Sequence, residues 1–315
     1  MGPAVRCGIG VASVLALSVA TPAHTPALAS SIPLATPWSA VSINASGGDL
    51  ASEAKKEIAM QLVSSAENSS LDWKAQYKYI EDIGDGRGYT AGIIGFCSGT
   101  GDMLDLVERY TNANPGNPLE TYLPALRKVN GTSSHAGLGS GFVSAWQQAA
   151  GTTAFKNAQN SERDRVYFNP AVNQGKSDGL GALGQFVYYD AIVVHGPGNS
   201  SDSFGGIRAA AIRKNNPPSQ GGDETAFLNA FMDARIIVMK QEPAHQDVSR
   251  IETAQRVFLQ ACTSISTPRS AGRSTATPTR SPSRPQLLYE RNFPLIFARK
   301  VPFIALPRFI CRSPR

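Results

Sequence analysis

Apolar residues recur at helical spacing along most of the chain. Ile58, Leu62 and Ala66 are four positions apart, with Glu and Lys residues between them. This pattern predicts an amphipathic helix from about residue 53 to a polar turn at 67–70. Further helices are predicted over 101–111, 118–128, 141–157, 170–194, 223–241 and 247–261.

One segment near the first helix has a different pattern. Residues 84–88 place three glycines among five positions. Glycine adopts positive φ angles at little cost, so this run predicts a tightly turned, exposed loop. Short uncharged runs over 89–97 follow and predict two short strands. We therefore predict a mainly α protein of the α+β class with one small sheet.

Both ends of the chain differ from the helical middle. Residues 1–29 carry one basic residue, Arg6, then a short apolar stretch and an Ala-x-Ala ending. This order is typical of a secretory signal peptide, so we expect a secreted, extracellular protein. Residues 30–50 are rich in Ser, Ala, Pro and Gly, which predicts a leader or linker. Residues 51–261 are the predicted folded body, and the Arg-, Pro- and Ser-rich tail at 262–315 is predicted to be disordered.

Charge is divided unevenly between the body and the tail. Residues 263–315 contain ten Lys or Arg residues and one acidic residue, a net charge of +9, whereas the whole chain carries +6. Residues 1–262 therefore carry −3. A mildly acidic body disfavours nucleic-acid binding and favours attraction of a cationic polymer. No segment after the signal peptide has the ~18 apolar residues that a membrane span needs, so no membrane association is expected.

The cysteines and several short motifs argue against other kinds of site. Cys97 is the only cysteine between the signal peptide and Cys262, so we expect a small buried hydrophobe and no disulfide scaffold. The run 179–184 matches GxGxxG without a preceding strand, and 95–99 imitates a nucleophile elbow without its βαβ context. The run 82–86 has glycines where a calcium loop needs ligands. We expect no metal and no cofactor.

Two carboxylates lie in contrasting surroundings. Glu67 is at the end of a helix that buries one face, and Asp85 is on the glycine-rich loop eighteen residues later. Cleavage of a glycosidic bond needs an acid and a base whose pKa values are pushed apart by different environments. Spacing alone leaves open the alternative that both are ordinary solvated carboxylates.

A second group of charges lies inside apolar sequence. Asp190 is embedded in the uncharged run 186–194, and Arg235 lies within an apolar helix. Buried charges are costly unless they are paired, so we expect Asp190 to pair with Arg235 and with Arg250. The pattern supports two interpretations: a salt bridge that holds helices together, or a charge network that tunes the catalytic base.

Longer runs of residues carry a resemblance to a known family. They include Tyr-Ile-Glu-Asp-Ile-Gly-Asp-Gly-Arg-Gly-Tyr-Thr at 79–90 and Gly-Phe-Cys-Ser-Gly-Thr-Gly-Asp at 95–102, with further matches at 67–73, 195–198 and 255–259. In these runs the chain strongly resembles chitosanases of glycoside hydrolase family 46. The resemblance implies inverting endo-cleavage of the β-1,4 links between glucosamine units of chitosan. It also implies a lysozyme-like fold of two helical lobes, joined by a long bent helix, with the substrate cleft between them.

The same resemblance implies roles for single residues. Glu67 is implied to be the general acid, Asp85 the general base, and Thr90 a residue that positions the attacking water. The residues implied to hold the loop and the base in order are Arg87, Asp190, Arg235 and Arg250.

Other matching residues are implied to line the substrate cleft. Asp102 is implied to bind an ammonium group of the sugar. The further cleft residues are Tyr79, His195, Glu242 and His245.

The resemblance stops near Ala261. Family members end with a Leu-Asp-Leu-Asn segment followed by Trp and Tyr, which another reading frame over residues 262–279 can spell. We therefore interpret the tail as the product of a frameshift. The expected function is that of a monomeric, secreted endo-chitosanase. Two alternatives stay open: a non-catalytic chitosan- or cell-surface-binding protein, if the tail disables the cleft, and a basic nucleic-acid or membrane module carried by the tail alone.

Overall fold

The computed structural model describes residues 49–242 and 246–266, with side chains described up to Cys262. The predicted signal peptide, most of the predicted leader, His245 and the tail beyond residue 266 lie outside the described residues. None of the described helices is both long and apolar enough to span a membrane. The α-helices are α1 Glu53–Asn68, α2 Asp102–Ala113, α3 Leu123–Val129, α4 Ser140–Ala150, α5 Thr153–Arg163, α6 Asn169–Ser177, α7 Ala182–His195, α8 Phe204–Ile212, α9 Glu224–Gln241 and α10 Arg256–Ser266.

A three-stranded antiparallel sheet lies between α1 and α2 in the chain. Its strands are β1 Ile80–Asp82, β2 Tyr89–Ala91 and β3 Phe96–Cys97, in the order β1-β2-β3. Strands β2 and β3 confirm the strands predicted over 89–97. Strand β1 was not predicted, because its two acidic residues interrupt the apolar alternation that marks a strand. The β1–β2 hairpin carries the glycine-rich loop.

Helix α7 forms the centre of the core. All of its residues are buried, as expected for a helix that is apolar on every side. Tyr189 packs against Phe168 with ring centroids 5.2 Å apart, and Tyr188 packs against Phe231 of α9 at 4.9 Å. This central position places Asp190 in the middle of the protein.

Two long predicted helices are each divided in the structure. The helix predicted over 170–194 is interrupted at 178–181, where Gly179 has a φ of +77°. The helix predicted over 141–157 is divided at Gly151 and Thr152, and the Thr152 hydroxyl caps α5 by accepting from Phe155 N at 3.2 Å. The helical spacing of apolar residues continues across such breaks, so this spacing does not reveal them.

Other differences concern short or small-residue elements. Helix α8 was not predicted, since its run of Gly and Ala gives a weak apolar pattern, and α10 continues past the predicted end at 261 to Ser266. The amphipathic stretch after Trp73 is a 3₁₀ helix. A π turn at Asp164–Phe168 joins α5 to α6 into one helical run over 153–177, and π turns are usual sites of helix kinks.

The prediction for the cysteines is wrong in part. Cys97 is fully buried, as predicted. Cys97 and Cys262 are nevertheless both disulfide-bonded, and no cysteine is free in the described part of the chain. Sequence spacing did not reveal this, because cysteine pairing depends on proximity in the fold.

Candidate active site

Glu67 lies in the last turn of α1 and is only 3 % exposed. The helix ends at Ser69, which has a φ of +51°. Arg250 Nη2 lies 2.6 Å from Glu67 Oε1. The predicted acid is therefore a buried carboxyl paired with an arginine from a distant segment.

Asp85 lies on the loop between β1 and β2, flanked by Gly84 and Gly86 with φ angles of +72° and +82°. Arg87 holds both of its oxygens: the backbone N–H donates to Oδ1 at 3.0 Å and Nε donates to Oδ2 at 3.0 Å. The Arg87 carbonyl in turn accepts from Gly99 N at 2.9 Å. Arg87 thus orients both oxygens of the predicted base.

Asp190 joins two arginines in the interior. Its Oδ2 accepts from Arg235 Nη1 at 2.7 Å and its Oδ1 accepts from Arg250 Nη2 at 2.9 Å. Burial opposes ionisation of Asp190, but the cationic Arg250 and Arg235 and the hydrogen bonds lower its pKa below the usual value. The expected pairing is confirmed. Because Arg250 also contacts Glu67, the network reaches the predicted acid.

Gln255 is a member of this network that sequence reasoning missed. Its Nε2 donates to Asp190 Oδ2 at 2.7 Å, and its Oε1 accepts from Arg235 Nη1 at 3.4 Å. A single buried amide has no spacing signal of its own. Its position beside Arg256-Val257-Phe258, within the run that carried the family resemblance, was the one available hint.

Thr90 and Asp102 lie on either side of Cys97. Thr90 is buried on β2, with its Oγ1 3.4 Å from Cys97 Sγ. Asp102 Oδ1 accepts from Cys97 N at 3.0 Å, from Thr100 Oγ1 at 2.6 Å and from Met103 N at 3.1 Å. Burial raises the pKa of Asp102 to about 6, although these bonds favour the ionised form.

The remaining predicted cleft residues form two further contacts. His195 Nδ1 lies 3.9 Å from Glu242 Oε1, which joins the ends of α7 and α9. Tyr79 Oη donates to Glu81 Oε2 at 3.3 Å, and burial together with Glu81 raises the pKa of Tyr79 to about 12, so the phenol is neutral. Within the described residues, no group of three or more potential metal ligands occurs.

Comparison with known proteins decides the family. Residues 61–268 match the model of glycosyl hydrolase family 46. The chain belongs to this family. Family 46 proteins are glycoside hydrolases, and the resemblance read from the sequence is confirmed.

Two curated relatives of the chain are named chitosanases. One, from Streptomyces sp. (strain N174), is 69 % identical over 215 residues, which span 68 % of this chain and 77 % of the relative. Another, from Bacillus subtilis (strain 168), is 39 % identical over 196 residues, which span 61 % and 70 % of the two chains.

Solved structures of chitosanases share the fold. A co-crystal structure of chitosanase OU01 with substrate matches with a TM-score of 0.67 at 66 % identity, over 67 % of this chain and 90 % of that one. Native chitosanase from Bacillus subtilis MY002 matches with a TM-score of 0.59 at 36 % identity, over 68 % and 90 %. The predicted lysozyme-like, mainly α fold is confirmed.

Proposed function

We propose that this protein is a secreted, monomeric endo-chitosanase that cleaves β-1,4 links between glucosamine units with inversion. The observation that carries the proposal is the placement of two carboxylates in a family 46 fold: Glu67, buried and paired with Arg250, and Asp85, held by Arg87 on a glycine-rich loop. The relatives that share this fold are chitosanases.

The two carboxylates lie in different settings: Glu67 is buried at the end of a helix, and Asp85 lies on a loop. Glu67 donates a proton to the leaving oxygen and becomes a carboxylate, which Arg250 at 2.6 Å then stabilises. Asp190 shares Arg250, so the charge of this arginine is divided between two carboxyl groups. Arg87 orients Asp85, the proposed base that activates the attacking water. This mechanism uses no metal and no cofactor.

The charge of the protein fits a cationic substrate. The body carries −3 over residues 1–262, and acidic residues lie at the predicted cleft positions Asp102 and Glu242. Negative charge attracts and orients the ammonium groups of chitosan and gives selection over neutral glycans. His245, the remaining predicted cleft residue, stays a prediction.

The proposal is tested with soluble chitosan and the purified full chain. Wild type should release reducing ends, and the α-anomer should appear first by NMR if the β-link is cleaved with inversion. Glu67→Gln and Asp85→Asn should each lower kcat by at least about 10²-fold, because proton transfer is typically worth 10²–10⁴-fold. Glu108→Gln, which alters an exposed carboxylate of α2 paired with Arg127, is the control and should leave kcat unchanged.

Two results would count against the proposal. More than about a tenth of wild-type kcat in Glu67→Gln would remove Glu67 from the role of acid. Chitosan binding by wild type without release of reducing ends would favour the non-catalytic binding protein. Secretion is tested separately, by the presence of the protein in culture medium and by a mature N-terminus near residue 30.

A further inference from the structure

We propose that His135 is a positioning residue for the hairpin that carries the base, an inference that rests on the proposed function. The hairpin loop leaves β1 at Asp82 and enters β2 at Tyr89, and these two residues are paired directly across the strands. Side chains of directly opposed residues lie on the same face of a sheet. The side chains of Asp82 and Tyr89 therefore lie next to each other on one face of the sheet, at the base of the loop. We call this pair the neck of the loop.

The His135 side chain contacts both sides of this neck. Its Nε2 lies 3.4 Å from Asp82 Oδ2, and its ring lies 4.3 Å from the Tyr89 ring, measured between centroids. Nε2 is shielded from solvent, although the side chain as a whole is 32 % exposed. Nε2 has no hydrogen-bond partner within the described residues, so its approach to Asp82 is a close contact and not a hydrogen bond. The His135 imidazole thus contacts both strand ends, and Asp85 lies on the loop between them.

Each contact of His135 is itself anchored. Tyr89 packs against the fully buried Phe142, with ring centroids 6.1 Å apart. Asp82 Oδ1 accepts from Gly84 N at 2.8 Å, which shapes the first turn of the loop. His135 therefore connects the core to the loop through Tyr89 on one strand and Asp82 on the other.

The segment that carries His135 is also joined to the loop through the backbone. Gly131 N donates to Gly99 O at 2.9 Å, and Gly99 N donates to Arg87 O at 2.9 Å. A Cβ on Gly99 would lie 2.2 Å from Thr132 O and 2.7 Å from Arg87 O, so the three backbones are in close contact. The backbone contact at Arg87 consequently holds the same end of the loop that His135 contacts through Tyr89.

Around Asp85 the loop is open at its two glycines. A Cβ on Gly84 or Gly86 would meet no atom within 4 Å. The His135 contact thus keeps the two strand ends of the hairpin in place below this open loop. If that neck loosened, Asp85 and its water would spend less time in line with the sugar, and small misplacements of this kind are costly in rate. Loss of His135 should therefore lower kcat more than it raises KM.

A double-mutant cycle on the full chain tests this role. His135→Ala should lower kcat on soluble chitosan about tenfold, with KM within about twofold of wild type. His135→Gln keeps a polar side chain of similar reach beside Asp82 and Tyr89 and should recover part of the loss. Asp82→Ala should lower kcat similarly, and the double variant should fall no further than Asp82→Ala alone, because residues that act through one contact are not additive. Ser133→Ala, an exposed change in the same segment, should match wild type.

Melting temperatures measured on the same samples separate positioning from stability. The expected pattern is a kcat loss in His135→Ala at assay temperatures well below its melting transition. Unchanged kcat in His135→Ala, an equal loss in Ser133→Ala, or multiplicative losses in the double variant would each overturn the inference. A wild-type chain that does not cleave chitosan would overturn the proposed function instead, and the inference with it.

Discussion

At the scale of single residues, Asp102 accepts three hydrogen bonds on one carboxylate oxygen and also has a raised pKa. Burial moves this pKa from an ordinary 3.8 to about 6. The folded protein therefore holds the proton more tightly than the unfolded chain does. Its contribution to stability declines as the pH rises from about 4 to about 6. A group that costs stability when ionised is well suited to a role in which an ammonium ion compensates the charge.

Substrate binding should follow the ionisation of Asp102. As the pH falls through about 6, the carboxyl becomes neutral and loses its attraction for a sugar ammonium group, so KM for chitosan should rise. Asp102→Asn should raise KM about tenfold at pH 7 and flatten this pH dependence, since hydrogen bonds to charged groups contribute about 1.5–3 kcal/mol. Steady-state kinetics from pH 5 to 7 check this. A KM in Asp102→Asn that still rises on acidification would assign the dependence to another group.

Asp190 should matter for stability as well as for activity. In Asp190→Asn the buried Arg235 loses its carboxylate partner, and breaking a buried pair typically costs about 3–5 kcal/mol. Urea unfolding of the variant and wild type measures the loss. Asp233→Asn, which breaks an exposed pair with Arg256, is the control and should cost below about 1 kcal/mol. Equal effects of the two substitutions would contradict the assignment of Asp190 to a buried network.

At the scale of elements, Gly179 separates α6 from α7. Its φ of +77° belongs to the left-handed region, and a Cβ there would lie 3.0 Å from Ser219 N and 3.2 Å from Pro218 Cβ. Gly179→Ala should therefore destabilise the protein by more than the ~1–2 kcal/mol of left-handed strain alone. Gly221 has a similar φ of +82° with open space around it, so Gly221→Ala reports the strain without the contact. Thermal unfolding of both variants checks the difference, and equal losses would show that the close approach is relaxed at no cost.

The elements that the sequence predicted well are those with a strong local period. Helices α1, α2 and α9 follow the apolar spacing of residues such as Ile58 and Leu62. The break at Gly179 was missed because periodicity passes through a short interruption, and α8 because small residues give little contrast between faces. Strand β1 was missed since Glu81 and Asp82 are polar on an edge strand. In each case the decisive interaction is tertiary rather than local.

At the scale of the whole molecule, the acidic body and the basic tail carry opposite net charges. The body's −3 should draw chitosan in over a distance set by the salt concentration. The Debye length shortens from ~30 Å at 0.01 M to ~8 Å at 0.15 M. KM should thus rise several-fold over this range while kcat changes little. Kinetics at both salt concentrations check this, and a more highly acetylated chitosan, which carries fewer charges, should show a weaker dependence. A KM independent of salt would place recognition in short-range contacts alone.

In the candidate site, residues within the recognised sequence runs could be predicted, whereas contacts between residues far apart in the chain could not. Glu67, Asp85 and Arg87 could be named because they lie in short runs that carry the family resemblance. Gln255 lies 65 positions from Asp190 and His135 lies 53 positions from Asp82, so their contacts exist only once the chain has folded. Pairing of Asp190 with a cation was predictable, because a buried charge needs a partner. Its hydrogen bond with the amide of Gln255 was not predictable.

The π turn at Arg250–Gln255 determines which side chains of this segment point in the same direction. In an α-helix, residues five apart point about 140° away from each other, so Arg250 and Gln255 would not both face one carboxylate. Here Arg256 N donates to Ile251 O, five residues back, and this wider repeat brings positions five apart onto one side. Both side chains reach Asp190 as a result. Inserting a single residue between them would keep every member of the network in the sequence and still turn one of them away from the carboxylate.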